Sequence, residues 1–231
     1  MKKAARFLGW IAAAAIALFL AVQVSFFLRL WWWRDHDPQA TAFMNERLVQ
    51  MRKKAPQVAL QQRWVPYDRI SNNLKRAIVV AEDSRFVDHE GFDWDAIEKA
   101  REKNQKKGKV VAGGSTISQQ LAKNLFLSPS RTPWRKGQEA LITVMMEHLM
   151  DKRRILEIYL NVIEWGDGVF GAEAAARHYY GVGAANLGPE AAARLAAIVP
   201  DPRRYDHYRT SAFIARKSQT ILARMPQAEL P

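Results

Sequence analysis

From Phe7 to Leu28 the chain is apolar almost throughout, broken only by Gln23 and Ser25. That run of about 22 residues matches the roughly 20 that a helix needs to cross the hydrocarbon core of a bilayer. No lone segment but a helix can satisfy its own backbone there. Trp31, Trp32 and Trp33 follow directly, as an aromatic belt at the membrane–water boundary would. A cleaved signal peptide has a shorter apolar core and a small-x-small cleavage site. Here the run ends in Phe26-Phe27-Leu28-Arg29, which suits an anchor that stays attached.

Lys2, Lys3 and Arg6 precede the span, with the N-terminal amine. Arg29 and Arg34 follow it, close to Asp35 and Asp37. Counting cations favours an N-terminus inside the cytoplasm and the rest of the chain outside it. The absence of cysteine agrees with an oxidising compartment. Of the net charge of +12, the five cations of residues 1–34 account for +5, so the rest of the chain is still basic. The remaining basic surface, held beside a bilayer, attracts anionic headgroups and phosphates. An extracytoplasmic location argues against nucleic acid as the partner.

The organisation expected is an anchor over 1–34, a linker with a juxtamembrane amphipathic helix over 35–60, and one domain over 61–231. The spacing of Phe43, Met44, Leu48 and Met51 reads as a helix that lies on the membrane or packs on the domain. Ser71 caps a helix with Leu74, Ala77, Ile78 and Ala81 on one face. Asp93 or Asp95 caps the next, to about Gln105, and the basic stretch from Arg101 to Lys109 reads as a mobile loop. Thr116 and Gln119 have the spacing of a capping box. Thr132-Pro133 opens a long helix with an expected buried stripe of Leu141, Val144, Met145 and Leu149. Asp151 caps another, and three more follow near 171–180, 189–198 and 211–225. The fold class is therefore all-α, with room for a short strand near Arg63–Tyr67 or Val110–Val111.

Two carboxylates stand out. Glu82, with Asp83 beside it, ends the Ser71 helix, where the helix dipole disfavours negative charge and suits a proton acceptor. Glu139 follows Arg131, Arg135 and Lys136 in the first turns of a long helix, a setting for an oxyanion such as a phosphate. Between them, Gly113 to Asn124 is rich in hydroxyls and amides, with Lys123 the one cation. Gly113-Gly114 allows a ligand to come close to the backbone. Scattered histidines and no cysteine give no zinc pattern.

These residues fall into ordered motifs. Glu82-Asp83-Ser84-Arg85-Phe86-Val87-Asp88-His89-Glu90-Gly91 resembles the first motif of the peptidoglycan glycosyltransferases, a family that includes the N-terminal domain of bifunctional penicillin-binding proteins. Gly113 to Asn124 resembles the second, with Ser118 where the family usually has Thr. Arg135-Lys136-Gly137-Gln138-Glu139 and Arg154 to Asn161 resemble the third and fourth. The resemblance covers roughly 70–208.

It implies a lysozyme-like helical fold that polymerises lipid II at the inner membrane of a bacterium, with one membrane pass and the catalytic domain extracytoplasmic. Glu82 would be the general base and Glu139 the second essential carboxylate. Lys123, Arg131, Arg135 and Lys136 would hold the departing pyrophosphate. Ser115 and Gln120 would contact the donor, and Asp83 belongs to the same substrate-binding set. Lipid II, the lipid-linked glycan and other cell-wall proteins are the expected partners. No metal or other cofactor is expected, with divalent-cation assistance left open. The length suggests a monofunctional chain without a transpeptidase. A glycan-cleaving enzyme of the same fold and a non-catalytic scaffold are the rivals.

Overall fold

The computed structural model describes residues 2–109, 111–128, 132–208 and 210–231. Its first element, α1 (Lys2–Trp33), is one continuous helix. Within it, Ala5–Trp33 is long and apolar enough to cross a membrane, and an 18-residue stretch of it has mean hydropathy 2.4 with little of its surface covered by protein. Its last turns do pack on the body: Leu30 and Trp33 are buried, and the rings of Phe26 and Trp33 meet Phe126. Arg154 closes the end of α1 by donating to the carbonyl of Trp33 at 3.1 Å and to that of His36 at 2.7 Å. A guanidinium is well matched to the unpaired carbonyls and negative dipole of a helix C-terminus.

Helix α2 (Ala42–Arg52), capped by Thr41, lies against the later helix Ile117–Phe126. Met44 is buried, and Arg47 bonds Glu164 at 3.0 Å. Of the two readings of this segment, packing on the domain is the one observed. Helix α3 (Asn72–Glu82) is capped by Ser71, and Leu74, Ala77 and Ile78 are buried. Helix α4 (Trp94–Lys107), capped by Asp93, runs through most of the basic stretch expected to be a loop. Lys and Arg are good helix formers, and cations suit a helix C-terminus. Gly108, left-handed at φ 63°, ends it.

Helix α5 (Ile117–Phe126) runs through the core, with Ile117, Leu121 and Leu125 fully buried. Helix α6 (Pro133–Leu149) starts at the Thr132 cap, but its buried face differs from the expected stripe. Leu141 and Val144 are exposed, whereas Glu139, Ile142, Thr143 and Met146 are buried. The helix follows the i, i+3, i+4, i+7 rule with two polar members, so a purely apolar criterion chose the neighbouring face. Helix α7 (Lys152–Val162), capped by Asp151, adds Ile155, Ile158 and Tyr159 to the core.

A small sheet closes one end. β1 (Gln61–Gln62) pairs parallel with β3 (Val169–Phe170), which pairs antiparallel with β2 (Glu164–Gly166). Its strands are of two and three residues, too short for an alternating pattern to register. Val111 is in no strand, and Val110 lies outside the described residues. Helices α8 (Ala172–Tyr180), α9 (Pro189–Ile198), α10 (Pro202–His207) and α11 (Ala212–Arg224) complete the body, α9 packing on α3 and α11. The sequence reading had no α10, a single short helix over six residues.

Candidate active site

The C-terminal end of α3 delivers Glu82 and Asp83 to one place, and they face different tasks. Asp83 is buried, and its carboxylate is fully engaged. It accepts the backbone N–H of Ile117 at 3.0 Å and faces His89 Nε2 at 2.9 Å. The N–H of Gly91 donates to His89 Nδ1 at 3.2 Å, so Nε2 is the nitrogen that carries the proton toward Asp83. Thr116 donates its hydroxyl to the carbonyl of Gly91 at 2.7 Å. Asp83, expected in the substrate-binding set, thus clips the end of α3 to the start of α5. Gly91 is required in this clip: its φ is +86°, and a Cβ would meet Thr143 Cγ2 at 2.7 Å.

Glu82 instead looks into the cleft. Gln120, from α5, donates Nε2 to Glu82 Oε2 at 2.9 Å. The hydroxyl of Tyr159, from α7, donates to Gln120 Oε1 at 2.9 Å. The chain Tyr159–Gln120–Glu82 fixes which way the amide points, and so presents a donor to the carboxylate. Both polar atoms of the Gln120 amide are engaged in it, which makes Gln120 a holder of Glu82. Burial, followed by the charges of Glu82 and Asp83, pushes the Tyr159 hydroxyl well above its usual range, so it stays a proton donor.

Glu139 has cations on both oxygens. Arg135 Nη1 reaches Oε2 at 2.7 Å, and Lys136 Nζ pairs with Oε1. Lys136 also reaches Ser115 Oγ at 3.5 Å. Arg135 Nε is buried and has no hydrogen-bond partner among the described residues. A buried guanidinium N–H without an acceptor is costly, and an anion at this point would satisfy it. Lys123 lines a hollow together with Gln120, the residue that bonds Glu82. Burial lowers its pKa, Glu139 and Glu82 act to raise it, and Arg135 and Lys136 act to lower it. Arg131 lies outside the described residues.

The glycine pair and the capping box shape the wall. Both halves of the box are present: Gln119 N–H to Thr116 Oγ1, and Thr116 N–H to Gln119 Oε1. A Cβ on Gly114 would come within 2.8 Å of Ile97 Cα, so this glycine lets the loop close on α4. The expectation of close approach to a ligand applies only to Gly113, beside which space is open. A hollow of about 150 Å³ runs from Glu82 to Gly113–Thr116, and another of about 200 Å³ from Gln120 and Lys123 to Arg203. Ser118 is fully buried, and its hydroxyl bonds Glu147.

Lys217, on α11, was not singled out by the sequence reading. Burial lowers its pKa, and the charge of Glu82 acts to raise it. Tyr159 lies in the fourth motif, but its link to Glu82 runs through Gln120 and, like that of Lys217, depends on tertiary packing.

A carboxylate held by an amide and a second carboxylate paired with two cations, in a mainly helical body, define a class: helical proteins whose charged groups suit group transfer. The Transglycosylase family model matches residues 48–226, and the chain belongs to that family. It is 60% identical over 226 residues to a biosynthetic peptidoglycan transglycosylase of Chromobacterium violaceum, covering 98% of this chain and 99% of that one. Proteins of the same description from Janthinobacterium sp. (strain Marseille) and Herminiimonas arsenicoxydans are 58% and 59% identical, each over the full length of both chains.

Proposed function

We propose that this protein polymerises lipid II into the glycan strands of peptidoglycan. The observation that carries the reading is the Glu139–Arg135–Lys136 cluster, in which the buried Arg135 Nε has no hydrogen-bond partner among the described residues. The donor is the growing glycan on its lipid pyrophosphate, and the acceptor is a second lipid II. Glu82 takes the proton of the acceptor's sugar 4-hydroxyl. That oxygen forms the new bond to the donor's anomeric carbon as the bond to pyrophosphate breaks, with inversion. Lys123, Arg135 with its unpaired Nε, and Lys136 receive the charge that develops on the pyrophosphate. Glu139 fixes the direction of two of these cations. Ser115, beside Lys136, completes the donor side.

The apolar helix α1 keeps the cleft at the bilayer that holds both substrates. In this reading the N-terminus is cytoplasmic and the body extracytoplasmic. Protease added to intact spheroplasts should degrade the body and spare the N-terminal tip.

Labelled lipid II and preformed glycan, supplied separately, test the reaction. The reading expects polymer from lipid II and no shortening of the glycan. Shortening without polymer would assign the cleft to glycan cleavage. Repeating the assay with a chelator tests the expectation that no metal is required.

A further inference from the structure

Gln23 is the one amide within the apolar run of α1. An amide facing hydrocarbon is costly, and Gln23 does not face it. It is 8% exposed, while the helix around it is largely uncovered. Its Nε2 donates to Gln138 Oε1 at 2.9 Å. Gln138, itself buried, is the residue before Glu139 on α6, one turn after Arg135.

The pair is a poor choice for stability alone. Gln23 Oε1 is buried without a hydrogen-bond partner among the described residues, beside a groove of about 640 Å³ lined by Phe19, Val22, Phe26, Leu127 and Trp134. Leucine at both positions would leave no polar atom unpaired there. A buried polar pair that costs stability is best attested as a device that fixes register. Arg154 already holds the carbonyl end of α1 at Trp33. Gln23 lies about 15 Å farther down the same helix. Two fixed points, one on α7 and one on α6, set both the tilt and the rotation of α1 against the body.

We infer that Gln23 is a positioning residue for the reaction proposed above. Through Gln138 it ties the membrane helix to the turn of α6 that carries Arg135, Lys136 and Glu139. The bilayer thereby fixes the depth of the cation cluster relative to the phosphates of a membrane-bound donor. The inference rests on the polymerase reading, and it applies only when the substrate is held in a bilayer.

The test uses the full-length protein and two substrate formats: long-chain lipid II in liposomes, and a short-chain, water-soluble lipid II in detergent. Gln23→Leu makes the span more apolar, so insertion is retained. The liposome rate should fall about fivefold relative to the detergent rate, the factor for one interhelical hydrogen bond in a membrane. Gln138→Leu should do the same, and the double variant should lose no more than either single one. Equal losses in both formats, additive losses, or no loss would each overturn the inference. Failure of the wild type to form polymer in either format would instead count against the polymerase reading.

Discussion

Tyr159→Phe is the sharpest probe of how the cleft holds its base. The substitution removes one oxygen and keeps the ring, which is fully buried, so no cavity term arises. What is lost is the 2.9 Å hydrogen bond to Gln120 Oε1. That acceptor is then left unpaired in a part-buried site, at a cost of about 1–2 kcal/mol. For a body of this size the melting temperature should fall by about 2–8 °C. The functional effect comes from the freed amide. Once Tyr159 no longer selects its orientation, Gln120 can turn Oε1 toward Glu82 and set two acceptors against each other. Losing about 0.7–1.4 kcal/mol of base positioning lowers turnover roughly three- to tenfold. KM for lipid II should hardly change, because the cations on the donor side are untouched. Initial rates over a range of lipid II concentrations, with thermal melts of the same samples, provide the comparison. Wild-type turnover in a correctly folded Tyr159→Phe variant, or a loss confined to KM, would refute the argument.

Other consequences follow from the same geometry. Burial lowers the pKa of Lys123, so it gives up its proton as pH rises before an ordinary lysine would. If its charge holds the pyrophosphate, kcat/KM should decline on the alkaline side at a pH below about 10.5, and Lys123→Arg should move that decline upward. A pH–rate profile that ends at the same pH in both proteins would remove Lys123 from the donor site. Asp83→Asn should cost about 2–3 kcal/mol of stability, since it weakens the clip to His89 and Ile117. Turnover per folded molecule should stay within about threefold at low temperature. A rise in KM without a loss of stability would mean that Asp83 meets substrate directly.

Much of this architecture can be read locally. Ser71, Asp93, Thr116, Thr132 and Asp151 all act as N-caps, because a short polar side chain reaching back to its own helix needs nothing from the rest of the fold. Glu82, Lys123 and Glu139 are legible as candidates through their motifs; in the structure Gln120 bonds Glu82 and lines a hollow with Lys123, while Glu139 pairs with Arg135 and Lys136. What the sequence concealed depends on tertiary partners. The buried face of α6 includes Glu139 and Thr143, polar residues that a hydrophobic stripe search rejects. The resemblance assigns Asp83 and Gln120 to substrate binding, and the sequence gives no sign of their protein partners. Their hydrogen bonds go to His89, Ile117, Glu82 and Tyr159, residues up to 39 positions away. Gln23 looked like a blemish in an apolar run until Gln138, 115 residues distant, was placed beside it.

The central claim is that Glu82 accepts the proton of the attacking hydroxyl. Glu82→Gln keeps the shape of the side chain and removes its basicity. Polymerisation of labelled lipid II by wild type and Glu82→Gln, both checked for fold by circular dichroism, is the most direct measurement. The account predicts a loss of about 10²–10⁴-fold in turnover with the helical spectrum unchanged. A folded Glu82→Gln protein that polymerises lipid II at a rate near that of the wild type would contradict it.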